Sequence, residues 1–340
     1  MKATISNIAE TCGLSTATVD RAINGRAGVS AANRQRVMEA AKQLGYLPMA
    51  DAVTLPSRPA HLEFFLPIAG NGFMGDLARH IEDYAGRLPL VASCRIHNLK
   101  DISPDAWQAA ADKIALRANG VGVVAVDHPK TRNILREIAD SGIRLVTLLS
   151  DVPAAPRSAY VGIDNRVAGR TAALLMGRFL GARSGQVAIV VGSRSYRGHE
   201  EREMGFRSVL SEDFPNLTIK SAVEINDEPE ASYNATIGFL QAEPNLLGIY
   251  CVGAGRSGIV RALGEARPRQ RPVFICHDLT GETRRYLVDD LVDVVIDQNA
   301  RLTAEQAVIR LLGSIASSAP YLIEKFVEPR LIFKENIPVQ

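Results

Sequence analysis

The chain has 340 residues, 46% of them hydrophobic, and a formal net charge of only +2. Its four cysteines (12, 94, 251 and 276) stand far apart without CxxC or zinc spacing, which excludes a disulfide framework or metal finger and predicts free, mostly buried thiols. No apolar run nears the length of a membrane span and the first residues enter a polar helical pattern at once, so the expectation is a cytoplasmic protein without signal peptide or anchor.

Ile5, Ile8, Ala9 and Cys12 fall at i, i+3, i+4 and i+7, the apolar stripe of a helix that Thr4 can cap and Gly13 can stop. Leu14 then plugs a core and Ser15 caps a second helix with Val19, Ala22 and Ile23 inward. Its other side presents Thr16, Ala17, Asp20 and Arg21. A third helix, capped by Ser30, turns Val37, Ala40, Ala41 and Leu44 inward and exits at Gly45. Two helices joined by a tight turn and buttressed by a third lay the second helix in the major groove. Arg21 can bond guanine O6 and N7 bidentately, or clamp a phosphate; Ala17 offers a methyl contact; Thr16 and Thr18 reach a base or a phosphate. Asp20 orients a neighbouring arginine or accepts from cytosine. Asn24 and Ser30 suit backbone caps and phosphate contacts. Residues 1–60 carry seven Lys/Arg against four Asp/Glu, so the basic excess of the chain lies wholly at this end, where it would meet the phosphate backbone.

The stretch after Pro48 lacks strong caps and is stopped by Pro56 and Pro59. From His61 onward short apolar runs (62–68, 90–96, 120–126, 144–149, 186–191, 246–252, 272–276 and 292–296) alternate with amphipathic stretches (105–118, 130–141, 165–180, 200–210, 230–241 and 301–312). That alternation predicts an α/β class of parallel, doubly wound sheets, and its length predicts two similar lobes. The boundaries are 1–48 for a DNA-binding headpiece, 49–60 for a hinge or linker and 61–340 for a bilobal core.

Parallel sheets hold ligands beyond the carboxyl ends of their strands. Reading those positions gives Asn71 and Phe73, Asp127 and His128, Ser150 and Asp151, Tyr196, His199 and Arg202, Asp227, Asp278 and Gln298. Carboxylates, amides and a guanidinium with one stacking ring suit hydroxyls, which both donate and accept. Asp164 is expected to cap a helix; Asp151 and Asp227 are open between cap and ligand; His128 and His199 are read as solvated or structural rather than catalytic. Asp127-His128 and Ser193/Ser195 near His199 are the sole catalytic candidates, and none completes a constellation, so no catalytic residue, metal or cofactor is expected.

The motifs Thr4-Ile5, Ile8-Ala9, Gly13-Leu14-Ser15-Thr16-Ala17-Thr18-Val19-Asp20-Arg21, Asn24-Gly25, Val29-Ser30, Arg36-Val37 and Gly45-Tyr46-Leu47-Pro48 resemble the lactose/galactose repressor (LacI/GalR) family without gaps. The resemblance extends more loosely over the rest, as a periplasmic-binding-protein-like core behind an all-α helix-turn-helix headpiece. It implies a homodimer on a palindromic operator, with DNA contacts from Thr4, Ile5, Ser15, Thr16, Ala17, Thr18, Arg21, Asn24 and Ser30, and with Leu55 wedged into the minor groove. It also implies a small effector (a sugar, polyol or cyclitol) held in the cleft by Asn71, Phe73, Arg202, Asp278 and Gln298, among others. Departures are Asp20, Asp51 and the absence of a basic residue after Pro48, and the strand 249–255, which lacks the Asn-Asp pair the family commonly has there. The expectation is a ligand-responsive repressor without a leucine-heptad tail; the alternatives are a carbohydrate-active enzyme or a ligand-independent DNA-binding dimer on the same fold.

Overall fold

The structure, a computed structural model, describes residues 4–23, 28–44, 55–243, 245–316 and 326–339. The expectations for Asn24, for the exit at Gly45 and for the hinge stretch 49–54 lie outside those residues.

Three helices open the chain: α1 (Ile5–Cys12), α2 (Thr16–Ile23) and α3 (Ala31–Gln43). Thr4 starts α1 through reciprocal bonds with Asn7, and Gly13 stops it in the left-handed conformation at φ 63°, which a side chain would oppose. Ser15 and Ser30 accept from the amides of Thr18 (3.2 Å) and Asn33 (3.3 Å) and so open α2 and α3. Such a cap stabilises by about 1 kcal/mol. Ile8, Cys12, Val19, Ala22, Val37 and Ala41 bury the inner faces. Leu44 was expected inward but is 37% exposed, because α3 ends one residue before it. Two arginines of α3 reach back across the turn. Arg36 Nη2 donates to Cys12 O (2.7 Å) and Arg34 Nη1 to Ala22 O (2.8 Å), satisfying carbonyls that the ends of α1 and α2 leave unpaired.

The first lobe runs β1 (Ala60–Leu66), α4 (Gly72–Gly86), β2 (Val91–Asn98), α5 (Pro104–Ala111), β3 (Gly120–Val123), α6 (Pro129–Asp140), β4 (Arg144–Leu148) and β5 (Ala159–Val161). Its five strands are parallel in the order β2-β1-β3-β4-β5. Helices cover both faces, which is why β1, β3 and β4 read as largely apolar runs rather than alternating ones. Helix α5 ends at Ala111 rather than near 118. The carboxylate of Glu63, buried on β1, accepts from Ala115 N (3.2 Å) and holds that stretch as a turn into β3.

The chain then crosses to the second lobe: α7 (Asn165–Leu180), β6 (Gly185–Val191), α8 (Arg197–Asp213), β7 (Leu217–Glu224), α9 (Pro229–Ala242), β8 (Leu246–Cys251), α10 (Arg256–Ala266), β9 (Val273–His277), α11 (Gly281–Val288) and β10 (Val294–Asp297). It returns as α12 (Ala300–Ala316), which packs on α4 and on β3, β4 and β5 of the first lobe. It crosses once more to end as β11 (Arg330–Ile332), giving the order β11-β10-β9-β8-β6-β7. Pairing in this sheet is parallel except for β10 with β11, which is antiparallel and departs from the all-parallel expectation. Helices α7 and α8 lie backbone to backbone: a Cβ on Gly169 would collide with Arg202 O, and one on Gly205 with Arg166 O. That contact fixes Arg202 against the start of α7.

Candidate functional site

Thr16, Ala17 and Arg21 form the exposed side of α2, as the sequence predicts for a reading face. The hydroxyls of Thr4, Ser15 and Ser30 cap helices, as the sequence predicts, and Thr18 Oγ1 lies 2.8 Å from Ser15 Oγ. Ile5 packs against the headpiece core. Leu55, expected as a groove wedge, is half-buried against the main hydrophobic core.

A cavity of about 480 Å³ opens between the lobes, lined by residues just beyond the strand ends of both sheets. The first lobe contributes Asn71, Phe73 and Ser150. The second contributes Tyr196, Arg202, Asp227, Asp278 and Gln298. Asn71 caps α4, its Oδ1 accepting from Phe73 N (3.1 Å) and Met74 N (3.3 Å), so its remaining hydrogen-bonding capacity is mainly that of a donor. Phe73 is only 2% exposed and anchors the apolar side of the cavity. Ser150 Oγ accepts from Gly198 N (3.3 Å), a direct bond between the lobes.

Arg202 is 3% exposed and bonded to neutral groups. Its Nε donates to Asn165 Oδ1 (2.8 Å) and its Nη1 to the carbonyl of Val252 (2.9 Å). Asn165, at the first residue of α7, in turn donates through Nδ2 to Leu149 O (3.1 Å) and to Tyr160 Oη (3.2 Å). Tyr160 donates to that same Leu149 carbonyl at 3.1 Å. A buried polar chain therefore ties the guanidinium to the first lobe at the crossover between them. The guanidinium has five N–H groups, so most of its donors remain for a ligand.

Asp278 sits in the left-handed region (φ 70°) and accepts from Gln298 Nε2 (2.8 Å), with Arg256 Nη1 at 3.9 Å from its other oxygen. Burial raises the Asp278 carboxyl above the usual range, against the opposing pull of Arg256 and Arg202. Gln298 Oε1 is buried and has no partner among the described residues, an acceptor awaiting a donor. Burial pushes the His199 imidazole down to about 4, with Arg202 adding to the shift and Asp227 opposing it, so His199 is neutral at pH 7. Tyr196 stacks edge-on against it at 5.2 Å.

Two expected residues lie outside the cavity lining. Asp127 is paired with Arg132 Nε (2.5 Å) at the start of α6. Asp151 accepts from Thr147 Oγ1 (2.7 Å), Val152 N (2.8 Å) and Arg157 Nη2 (2.6 Å), which makes it the brace of a loop. Both carboxylates are engaged within the first lobe, Asp151 in the bracing role that the sequence leaves open beside ligand contact. Lys100, Asp101, Asn226 and Glu228 line the cavity and were missed. Strand β2 runs two residues past its predicted end at 96, so Lys100 and Asp101 do not read as following it, while Asn226 and Glu228 flank Asp227, the position that the sequence places after β7.

The catalytic candidates do not assemble. Ser193 Oγ donates to Glu224 Oε1 (3.0 Å), while His199 Nδ1 lies 3.0 Å from the Ser193 backbone and not from its hydroxyl. His128 Nδ1 accepts from Lys130 N as the cap of α6. Among the described residues no group of three or more His, Cys, Asp and Glu is placed to hold a metal, and no helix is long and apolar enough to cross a membrane. What the cavity offers is a ring of fixed donors and acceptors beside buried aromatic groups, suited to binding.

Comparison with known proteins agrees with both parts. Residues 4–49 match the bacterial regulatory proteins of the lacI family, and residues 62–313 match a periplasmic binding protein domain. The HTH-type transcriptional regulator DegA of Bacillus subtilis (strain 168) is 28% identical over 218 residues, 62% of this chain and 62% of that protein, so less than two thirds of its length is spanned. The HTH-type transcriptional repressor PurR of Vibrio cholerae is 24% identical over 252 residues, 73% of this chain and 72% of that one. Among solved structures, an ABC-transporter solute-binding protein from Burkholderia graminis in complex with D-arabinose superposes with a TM-score of 0.76 at 21% identity, over 83% of this chain and 97% of that one. At that identity the likeness concerns the fold.

Proposed function

Since the chain belongs to the lacI family of bacterial regulatory proteins and carries a periplasmic binding protein domain behind its headpiece, we propose that it is a cytoplasmic, ligand-responsive transcriptional repressor. Two copies bind a palindromic operator through α2, and each holds a small sugar, polyol or cyclitol between its lobes. One observation carries the reading. The interlobe cavity brings Asn71 and Ser150 of one lobe opposite Arg202, Asp227, Asp278 and Gln298 of the other.

The mechanism follows from that placement. A hydroxyl can accept from Arg202 and donate to Asp227, Asp278 or Gln298 Oε1, while Phe73 and Tyr196 offer apolar surface to the ring face. The contacts to both lobes are complete only when the lobes are closed, so ligand favours one arrangement of the core. The headpieces of a dimer fit operator half-sites one helical turn apart in one arrangement only. Ligand and DNA thus bias the same two states, each altering the other's affinity by the same factor. That Ser193 Oγ donates to Glu224 rather than to His199, that Asp127 pairs with Arg132 and that His128 Nδ1 caps α6 supports binding over turnover.

Thermal melting against pentoses, hexoses, polyols and cyclitols, with D-arabinose, D-allose and D-tagatose included because solved proteins of this fold hold them, tests the reading. A specific ligand at a hundred times its Kd stabilises by about 2.7 kcal/mol. An unchanged melting temperature across the panel contradicts the sugar-sensing reading and favours a ligand-independent dimer.

A further inference from the structure

We propose that Asp227, Gly192 and Gly253 form one unit, in which a carboxylate from the edge strand β7 occupies the cavity wall where side chains following β6 and β8 would stand. This assigns the two glycines as positioning residues and Asp227 as the group that takes a hydroxyl or ammonium donor of the ligand. It rests on reading the cleft as a ligand site.

The sheet order puts β6 between β7 and β8. Asp227, three residues beyond β7, nevertheless accepts from the amide of Ala254, which follows β8, at 2.7 Å. To do so it crosses the end of β6. Consecutive left-handed residues, Asn226 (φ 50°) and Asp227 (φ 61°), fold the chain back over that strand end. The path is open only because Gly192 and Gly253 lack side chains. A Cβ on Gly192 would collide with Asp227 Oδ1 and lie 2.8 Å from its Cγ and from His199 Cε1. A Cβ on Gly253 would lie 2.5 Å from the same Oδ1. An acid at 227 held in this position and a side chain at 192 or 253 therefore compete for the same space. The end of β8, which offers Gly253-Ala254 and no polar side chain of its own, receives its polar group from two strands away.

Only Oδ1 is engaged; Oδ2 has no hydrogen-bond partner among the described residues. The neighbouring imidazole of His199 is neutral at pH 7 and offers that oxygen no positive charge. A donor on the ligand fits such an oxygen, and an anionic group is repelled by it.

The test is a melting cycle without ligand on the full chain: parent, Gly192→Ala, Asp227→Gly and the double variant. Gly192 is chosen because the contacts of its added Cβ are to the Asp227 carboxylate and the His199 ring, not to backbone. Gly192→Ala is expected to lower the melting temperature of the parent by several degrees and to cost far less in the Asp227→Gly background. Equal losses in both backgrounds overturn that competition. Asp227→Asn, which preserves shape and the bond to Ala254, separates reading from packing. It should melt like the parent and bind the stabilising sugar, taken from D-arabinose, D-allose and D-tagatose or the wider panel, at least tenfold more weakly. Undiminished affinity overturns Asp227 as the reader. If no sugar stabilises the parent, the ligand reading fails, and the melting cycle still decides the glycine–aspartate unit.

Discussion

Arg21 and His199 carry the account at the scale of single residues. Arg21 stands on the exposed side of α2 beside Thr16 and Ala17, while the serines around it are used as caps. A bidentate arginine–guanine pair discriminates by about 1–3 kcal/mol. Arg21→Ala should therefore weaken operator binding about tenfold or more and relax base preference at one position of each half-site, measured by selection from randomised duplexes. Equal loss on all sequences would make Arg21 a phosphate clamp. His199 gives a pH prediction. Its folded pKa of about 4 lies below its ordinary 6.5, so the unfolded chain takes up the proton first and stability falls as pH drops from about 6.5 toward 4. The contribution reaches at most about 3 kcal/mol at pH 4. His277, depressed by burial in the same way, adds to the fall, while Asp278, whose pKa is raised, works against it. His199→Asn should flatten part of the pH dependence of urea unfolding over this range; an unchanged slope would contradict a neutral, buried imidazole.

Elements decide how such residues are held. The start of α7 is the joint: Asn165 links Arg202 on α8 to Leu149 beyond β4, and Tyr160 of β5 completes the bond set. Tyr160→Phe removes one hydroxyl that lines no part of the cavity, at about 1–3 kcal/mol for the buried groups left unpaired. Calorimetry should find weaker sugar binding in that variant as well as lower stability, because Asn165, which holds Arg202, loses one of its two bonds to the first lobe. Affinity equal to the parent would confine the chain of bonds to a packing role. The same scale explains what the sequence disclosed. Strands β1, β3, β4 and β8 are buried on both faces, and their apolar runs announced them. Strand β7 escaped as a full element because it lies at a sheet edge and carries Thr218, Lys220 and Ser221, and β5 and β11 because they are too short to show a period. Strand ends located Arg202, Asp278 and Gln298 in the cavity. The rule could not separate Asp227 from Asp127 and Asp151, because which carboxylate a neighbouring arginine or threonine satisfies is settled by tertiary contact. Arg34 and Arg36 make the same point in the headpiece: counted as basic charge for DNA, they also tie the ends of α1 and α2.

Across the whole molecule, the chain passes between lobes after β5, after β10 and before β11, so closure of the cleft must act through those crossings. Gln298, in the cavity wall, and Asn165, which holds Arg202, both stand at them, which puts the proposed ligand contacts next to the joints. The central claim is that occupancy of the cleft and operator binding are one coupled equilibrium, with couplings of this kind amounting to about 5–150-fold in affinity. Fluorescence anisotropy of a duplex selected from a random pool, titrated at low salt with and without the stabilising sugar, measures that coupling directly. The account predicts a shift in operator affinity within that range for the parent, and for Asp278→Ala the parent's sugar-free affinity with no response to sugar. Identical curves for the parent with and without a sugar that demonstrably occupies the cleft would contradict it.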